Sequence, residues 1–278
     1  MTNIKIQETN KQKLPKVSII TVCYNAATTI EDTIQSVINQ TYPNIEYIIV
    51  DGGSTDGTLN IIKKYEKHIV KWISEPDEGI YDAMNKGIKM SSGEIIGIIN
   101  ADDWYEQDII KEIINTFFDD INIDLIFGDL KLCDFQKNVI LIELGNLKQK
   151  RLKDALLHPT MFVKKEVYNR YGLYDTRFSF ISDYDFMCRI ASSTNKKYLP
   201  KVISYMRTGG ISNTKPFRRS IEYLIVRLRH KHKYLSIFNQ VISIVPKYYF
   251  RKFLELIGLK DMAFLLYKLR NKSRIVKK

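Results

Sequence analysis

Over residues 17–99 the chain alternates two kinds of apolar pattern. Short unbroken runs at 17–22, 45–50, 69–74 and 94–99 read as strands buried on both faces. Between them, 28–40, 58–67 and 81–90 carry apolar residues at helical spacing. Ile30, Ile34, Val37 and Ile38 share one face of the first, and Ala83, Met84, Gly87 and Ile88 are spaced for packing in the third. Strands separated by helices of about ten residues predict βαβ units and a parallel sheet. Beyond residue 103 the pattern changes. A helix is expected at 107–118, a short buried strand at 125–127 and a hairpin-like pair at 130–133 and 139–144. A strand at 161–163 and helices at 164–171 and 182–192 follow. From Pro216 onward the chain is helical, basic and aromatic, and no internal repeat or low-complexity tract occurs.

Two of these strands end in carboxylates. The run 94–99 leads into Asn100-Ala101-Asp102-Asp103, and 45–50 leads into Asp51-Gly52-Gly53-Ser54-Thr55-Asp56-Gly57. A strand interior does not hold unpaired charge cheaply, so these acids belong at strand carboxyl ends, where open α/β sheets bind ligands. Adjacent carboxylates there suit a divalent cation that also holds a phosphate. They suit a solvated turn or a helix N-cap equally well. Asp51 could accept hydrogen bonds from a base or ribose, the glycines after it would let a ligand approach the backbone, and Asp56 is expected as a helix cap. Thr21-Val22-Cys23-Tyr24-Asn25 joins the first strand to the first helix. Such a loop can offer N–H groups to a nucleotide and is also an ordinary turn. Neither a GxGxxG fingerprint nor a GxxxxGK(S/T) loop is present.

Composition narrows the setting. The 278 residues suit one large domain, or a domain of about 200 residues with an appendage. Three cysteines without CxxC spacing fit a reducing compartment and argue against a disulfide framework or a zinc site. The polar, lysine-bearing start of the chain lacks the apolar core of a signal peptide, and no run approaches the ~18 apolar residues of a membrane span. The net charge of +12 is unevenly spread. Residues 215–278 hold 17 Lys and Arg against three acids, while residues 1–214 hold 26 bases against 28 acids. A basic tail on a near-neutral body suggests an anionic surface as partner.

Taken together, Val17-Ser18-Ile19-Ile20-Thr21-Val22-Cys23-Tyr24-Asn25, Gln40-Thr41-Tyr42-Pro43, Ile48-Ile49-Val50-Asp51-Gly52-Gly53-Ser54-Thr55-Asp56-Gly57-Thr58 and Asn100-Ala101-Asp102-Asp103 resemble the family 2 glycosyltransferases. The resemblance runs from about Lys16 to Gly210. Glu75-Pro76-Asp77-Glu78-Gly79-Ile80-Tyr81-Asp82-Ala83-Met84-Asn85-Lys86-Gly87 is similar to the members that build bacterial surface polysaccharides. The resemblance implies an α/β GT-A fold, with a mostly parallel central sheet flanked by helices. It implies a glycosyltransferase domain over 1–214, with a nucleotide-sugar half at about 16–104 and an acceptor half at about 105–214, followed by a basic helical extension at 215–278. It implies an inverting, metal-dependent transfer from a nucleotide-diphosphate sugar, UDP-linked by expectation. Thr21, Val22, Tyr24, Asn25, Asp51, Asn85 and Asp102 would hold the nucleotide-sugar, and Asp102 and Asp103 a Mn²⁺ or Mg²⁺ ion. Two departures concern the base: Gly52 stands where many members have a second Asp, and Met84 where many have Arg.

The family places its general base where Ser182-Asp183-Tyr184-Asp185-Phe186 has Asp183. An inverting displacement needs such a group, because the acceptor hydroxyl must lose its proton as it attacks. A plain helix cap is the alternative role for Asp183, and Asp185 is expected to be structural. His158 and Trp104 are candidate acceptor contacts, His158 also a candidate metal contact. The segment 215–278, with stretches such as Pro246-Lys247-Tyr248-Tyr249-Phe250-Arg251-Lys252-Phe253-Leu254, suits either an anionic membrane surface or a solvated helical cap. The membrane reading fits a glycan or polyprenyl-diphosphate-linked acceptor and puts the protein in the cytoplasm, peripheral at the inner face of the plasma membrane. A sugar-phosphate nucleotidyltransferase is disfavoured because 22–25 is not a glycine-rich basic loop. A nucleic-acid-binding protein is disfavoured by the near-neutral body, so no nucleic acid is expected as partner.

Overall fold

The computed structural model describes residues 14–145, 156–209 and 216–230. Among the described residues there are nine strands: β1 (Val17–Cys23), β2 (Ile45–Asp51), β3 (Lys71–Ser74), β4 (Ile95–Asn100), β5 (Trp104–Tyr105), β6 (Leu125–Cys133), β7 (Val139–Glu143), β8 (Phe162–Lys164) and β9 (Lys196–Arg207). Seven helices accompany them: α1 (Ile30–Ile38), α2 (Thr58–Lys64), α3 (Ile80–Met90), α4 (Ile109–Asp119), α5 (Lys165–Tyr171), α6 (Ser182–Ile190) and α7 (Pro216–Arg229).

The strands form one sheet in the order β3-β2-β1-β4-β8-β6-β9-β5, with β7 paired to β6. The first four are parallel, as the βαβ pattern requires. The second half joins through β8, which runs antiparallel to both β4 and β6. Both faces of the parallel block are covered. Ile19 and Ile49 pack with α1, α2 and α4 residues such as Ile34, Ile62 and Ile110. Their sequence neighbours Ile20 and Ile48 pack on the other face with Met84 and Ile88 of α3, Val167 of α5 and Phe186 of α6. Two-sided burial explains why these strands read as unbroken apolar runs. Helix α3 lies directly on β1: a Cβ on Gly87 would come within 2.3 Å of Ile20 Cγ2.

The second half departs from the sequence pattern in three places. Residues 125–127 and 130–133 are one strand, β6, which bulges against β9 around Asp129. Strand β9 was not expected, because Lys-Lys-Tyr-Leu-Pro-Lys-Val-Ile has neither an apolar run nor strict alternation. Strand β5 is too short to carry a pattern. The basic segment begins inside the body. Val226 of α7 packs against Phe178 and Ile181, and the Glu222 carboxylate accepts the Ser179 and Phe180 N–H groups. The expectations for 231–278, including 246–254, lie outside the described residues.

At the amino ends of the parallel strands a single carboxylate ties the block together. Glu46 of β2 accepts hydrogen bonds from Ser18 Oγ of β1, from Ser92 N and Oγ ahead of β4, and from Lys71 Nζ of β3. Burial alone would raise its pKa, but these donors lower it from 4.5 to about 2. Glu46→Gln is therefore expected to cost about 2–3 kcal/mol of stability at pH 7. A carboxyl depressed by folding contributes fully above its ordinary pKa, so the contribution fades as pH falls from 4.5 toward 2. Urea unfolding at pH 7 and pH 3 checks this: the gap between variant and parent must narrow at the lower pH.

Candidate active site

The site is built where the parallel strands run out. Strand β1 hands over to Tyr24, which is 62% exposed, and to Asn25, whose φ of 49° lies in the left-handed region. This β1–α1 loop is stapled to the β2–α2 loop. Asn25 N donates to Ser54 Oγ, Thr55 N to Asn25 Oδ1, Ala26 N to Thr58 Oγ1 and Ala27 N to Asp56 Oδ2. Asp56 also accepts the Thr58 N–H at the start of α2, the expected capping role. Thr21 and Val22 are buried within β1, and Thr21 Oγ1 meets Tyr47 Oη in the core. Their side chains do not reach the crevice.

Asp51 is fully buried, and both carboxylate oxygens are occupied. It accepts from Gly53 N, from Ser54 N and Oγ, and from Ser74 Oγ at the end of β3. Burial opposes its charge, but these donors hold the carboxyl below the ordinary carboxylate range. Asp51 thus organises the loop. The half-exposed carboxylate nearby is that of Asp77. A Cβ on Gly52 would lie 2.5 Å from Asp77 Oδ2 and 3.4 Å from the Tyr24 ring, so Asp77 fills the space of the side chain that residue 52 lacks. Asp77 Oδ1 accepts from Gly79 N, while Oδ2 accepts from no described residue.

At the end of β4 the oxygens outnumber their donors. Asn100 Oδ1 is buried without a partner. Asp102 is half-buried and its carboxylate accepts no hydrogen bond from another described residue; burial raises its pKa, against the pull of Arg207. Asp103 is wholly buried, and its oxygens receive two long bonds, from Arg207 N at 3.2 Å and Asn100 Nδ2 at 3.4 Å. Burial and then the Asp102 charge push the Asp103 carboxyl well up. Among the described residues no cluster of three His, Cys, Asp or Glu side chains forms a metal cage. A donor-poor, oxygen-rich turn nevertheless fits a hard cation that takes its remaining ligands from phosphate and water.

Arg207, at the end of β9, secures this turn and was missed by the sequence pattern along with its strand. Its guanidinium donates to the Asp102 carbonyl at 2.7 Å and to Asp32 Oδ2 at 2.5 Å, and lies 4.8 Å from the Trp104 ring centre. Trp104 also stacks on Tyr205 at 5.2 Å, so neighbours already occupy much of its ring surface.

Asp183 opens α6 and is half-exposed. Its Oδ1 accepts from Tyr81 Oη of α3 at 2.8 Å. Tyr81 stands in the first turn of α3, which follows β3, so this bond draws Asp183 to the carboxyl edge of the parallel block. Asn85 is buried one turn further on. Its amide donates to Tyr174 O and accepts from Tyr174 N, clamping α3 to the segment after α5. His158 Nε2 bonds Tyr174 Oη at 2.9 Å. Burial lowers the His158 pKa against the pull of Asp183, which keeps the ring neutral at pH 7. Asp185 faces the opposite way, to Arg189, Arg229 and His230, and is structural.

A parallel 3-2-1-4 block continued by antiparallel strands, with acids at its carboxyl edge, is the GT-A architecture. The family model for glycosyl transferase family 2 matches residues 18–171. A PGL/p-HBAD biosynthesis glycosyltransferase of Mycobacterium tuberculosis is 30% identical over 72% of this chain and 80% of its own length. The chain belongs to glycosyl transferase family 2. The crystal structure of S. aureus TarS 1–349 superposes with a TM-score of 0.62 at 20% identity, covering 77% of this chain and 64% of that one. The chain thus spans less than two thirds of that protein, which has also been crystallised with UDP and with UDP-GlcNAc. The mannosyltransferase PcManGT of Pyrobaculum calidifontis, in complex with GDP-Man and Mn²⁺, superposes at 0.59 with 18% identity over 78% and 64% of the two chains.

The difference between the two carboxylates beside Gly52 is measurable. Asp51→Asn puts an amide where only donors converge and should cost about 2–4 kcal/mol. Asp77→Asn removes one partly exposed acceptor and should stay within about 1 kcal/mol. Urea denaturation of the two variants provides the comparison, and equal losses would contradict the assignment of Asp51 as the loop's organiser.

Proposed function

We propose that the protein transfers a sugar from a UDP-linked donor, with inversion, to a hydroxyl of a glycan or polyprenyl-diphosphate-linked acceptor in surface polysaccharide biosynthesis. The observations that carry this reading are two acidic groups at the carboxyl edge of the parallel block, one of them drawn there through Tyr81. The donor-poor Asn100–Asp103 turn ends β4, and the Tyr81-held Asp183 opens α6. The UDP and UDP-GlcNAc complexes of TarS support a uridine donor.

In this reading the exposed Tyr24 ring, Asn25 and the unoccupied edge of Asp77 receive the nucleotide, while Thr21, Val22, Asp51 and Asn85 shape its seat from behind. Asp102 and Asp103 would hold Mn²⁺ or Mg²⁺, which supplies positive charge against the leaving diphosphate. The PcManGT complex supports a metal of this kind. Asp183 accepts the acceptor's proton as the hydroxyl oxygen bonds to the anomeric carbon and the nucleoside diphosphate departs. His158, neutral and bonded to Tyr174, borders the acceptor side.

The basic segment that begins with α7 would dock on an anionic membrane, placing the protein at the cytoplasmic face. Phe217, Ile221, Ile225 and Leu228 are exposed along α7 beside Arg218, which suits an interfacial helix. No helix among the described residues is long and apolar enough to cross a membrane.

Nucleotide release with Mn²⁺ over UDP-Glc, UDP-GlcNAc, UDP-Gal and GDP-Man tests the chemistry. A UDP-sugar should be turned over, and excess chelator or Asp102→Ala should abolish it. Asp183→Ala should lower kcat by about 10²–10⁴-fold with little change in donor KM. Full activity in Asp183→Ala would sink the mechanism. Flotation should recover the protein with phosphatidylglycerol vesicles and not with phosphatidylcholine vesicles, less so as salt rises. Equal recovery from both would rule out the anionic surface.

A further inference from the structure

Helix α6 begins without a cap of its own. Ile181 at its N-cap position has no side-chain acceptor, and Ser182 Oγ is buried without a partner. The first N–H groups of a helix need acceptors from elsewhere. The first turn of α6 is tied instead to another element, 102 residues away in sequence. Tyr81 Oη of α3 donates its proton to Asp183 Oδ1 at 2.8 Å.

The hydroxyl is itself firmly held. The Tyr81 ring is 6% exposed and packs 5.7 Å from the Tyr174 ring, in the cluster that contains Phe186 of α6. The titratable groups facing Asp183 are Tyr81 from α3, His158 from the turn His158–Thr160, and Tyr174 from the segment after α5. On its own helix, Asp185 turns away to Arg189, Arg229 and His230. Among the described residues no lysine or arginine forms an ion pair with Asp183, and its Oδ2 accepts no hydrogen bond. Its direction is therefore set by a neutral donor that takes one oxygen and leaves the other open.

We propose that Tyr81 is the positioning residue for Asp183: it fixes the first turn of α6 and aims Oδ2 of the carboxylate at the incoming acceptor hydroxyl. The inference rests on the reading of Asp183 as the base. It also gives a purpose to Gly79-Ile80-Tyr81-Asp82-Ala83-Met84-Asn85, which pattern alone marks only as a packed helix. Helix α3 faces the donor half through β1 and the acceptor half through Tyr81 and Asn85.

Tyr81→Phe keeps the ring and deletes the hydroxyl. With the UDP-sugar that the release assay turns over, kcat should fall about tenfold while donor KM stays within about twofold. The melting-temperature rise given by UDP and Mn²⁺ should be retained, since the nucleotide seat is untouched. Independently of any donor, amide exchange at Ser182 and Asp183 should quicken in the variant, with the β1–β4 core unchanged. Parental kcat in Tyr81→Phe alongside an inactive Asp183→Ala would overturn the proposal, as would unchanged exchange in the first turn of α6. A raised donor KM with kcat intact would also overturn it, by moving Tyr81 to the donor seat. Full activity in Asp183→Ala would instead remove the base assignment beneath it.

Discussion

Everything in this protein follows from burying three parallel strands, β2, β1 and β4, on both faces. Such strands have no solvent side, so charge is admitted only at their ends. The two ends are put to different use. At the amino edge one carboxylate, Glu46 of β2, gathers donors from or beside β1, β3 and β4 and is a fastening. At the carboxyl edge Asp51, Asp77, Asp102, Asp103 and, through Tyr81, Asp183 collect at the helix starts. These acids are chemically alike and differ in how many donors each receives.

That difference separates scaffold from site. Asp51 and Asn85 stand where the family resemblance puts ligand contacts, yet Asp51 is saturated by the loop it folds and Asn85 by the Tyr174 backbone. The groups left short of donors are Asn100 Oδ1, Asp102, the second oxygen of Asp77 and the second oxygen of Asp183. Unsatisfied polar groups are unfavourable in a folded core, so acids left short of donors at this edge are the ones the proposed reading assigns to a ligand. Arg207 belongs to the scaffold in the same sense: its guanidinium grips the Asp102 carbonyl and Asp32 and lies beside Trp104.

The first half of the fold was legible because its central strands are largely apolar runs and its helices carry apolar residues at helical spacing. The second half was less so. Strand β9 mixes lysines, a proline and apolar residues because it is only partly covered for much of its length, and it gains regular burial only near Ile203. Missing β9 hid Arg207, which ends it. Acids at strand ends could be located from sequence, but their degree of saturation could not. It depends on Ser74, Tyr81, Tyr174 and Arg207, each brought in by tertiary contact from a distant part of the chain. Gly52 carried a usable signal: a missing side chain in a crowded loop implies that something else fills its place, and that is Asp77.

Helix α6 shows how the two halves are joined. Its start is held by Tyr81, and its opposite side by the charges around Asp185. Arg189 reaches Asp185 from one turn along, and Arg229 and His230 reach it from the end of α7. Glu222 of α7 meanwhile caps the chain just ahead of α6. The helix bearing Asp183 is thus gripped by a donor-side helix at one end and by the first helix of the basic segment along its back. If Asp183 is the base proposed above, its carboxylate must be held to within a fraction of an ångström of its working position. A short helix whose own N-cap residue supplies no side-chain acceptor cannot do that alone, so its rigidity is borrowed from both neighbours. Any force on α7, including docking of that segment on a surface, acts next on the helix that carries Asp183.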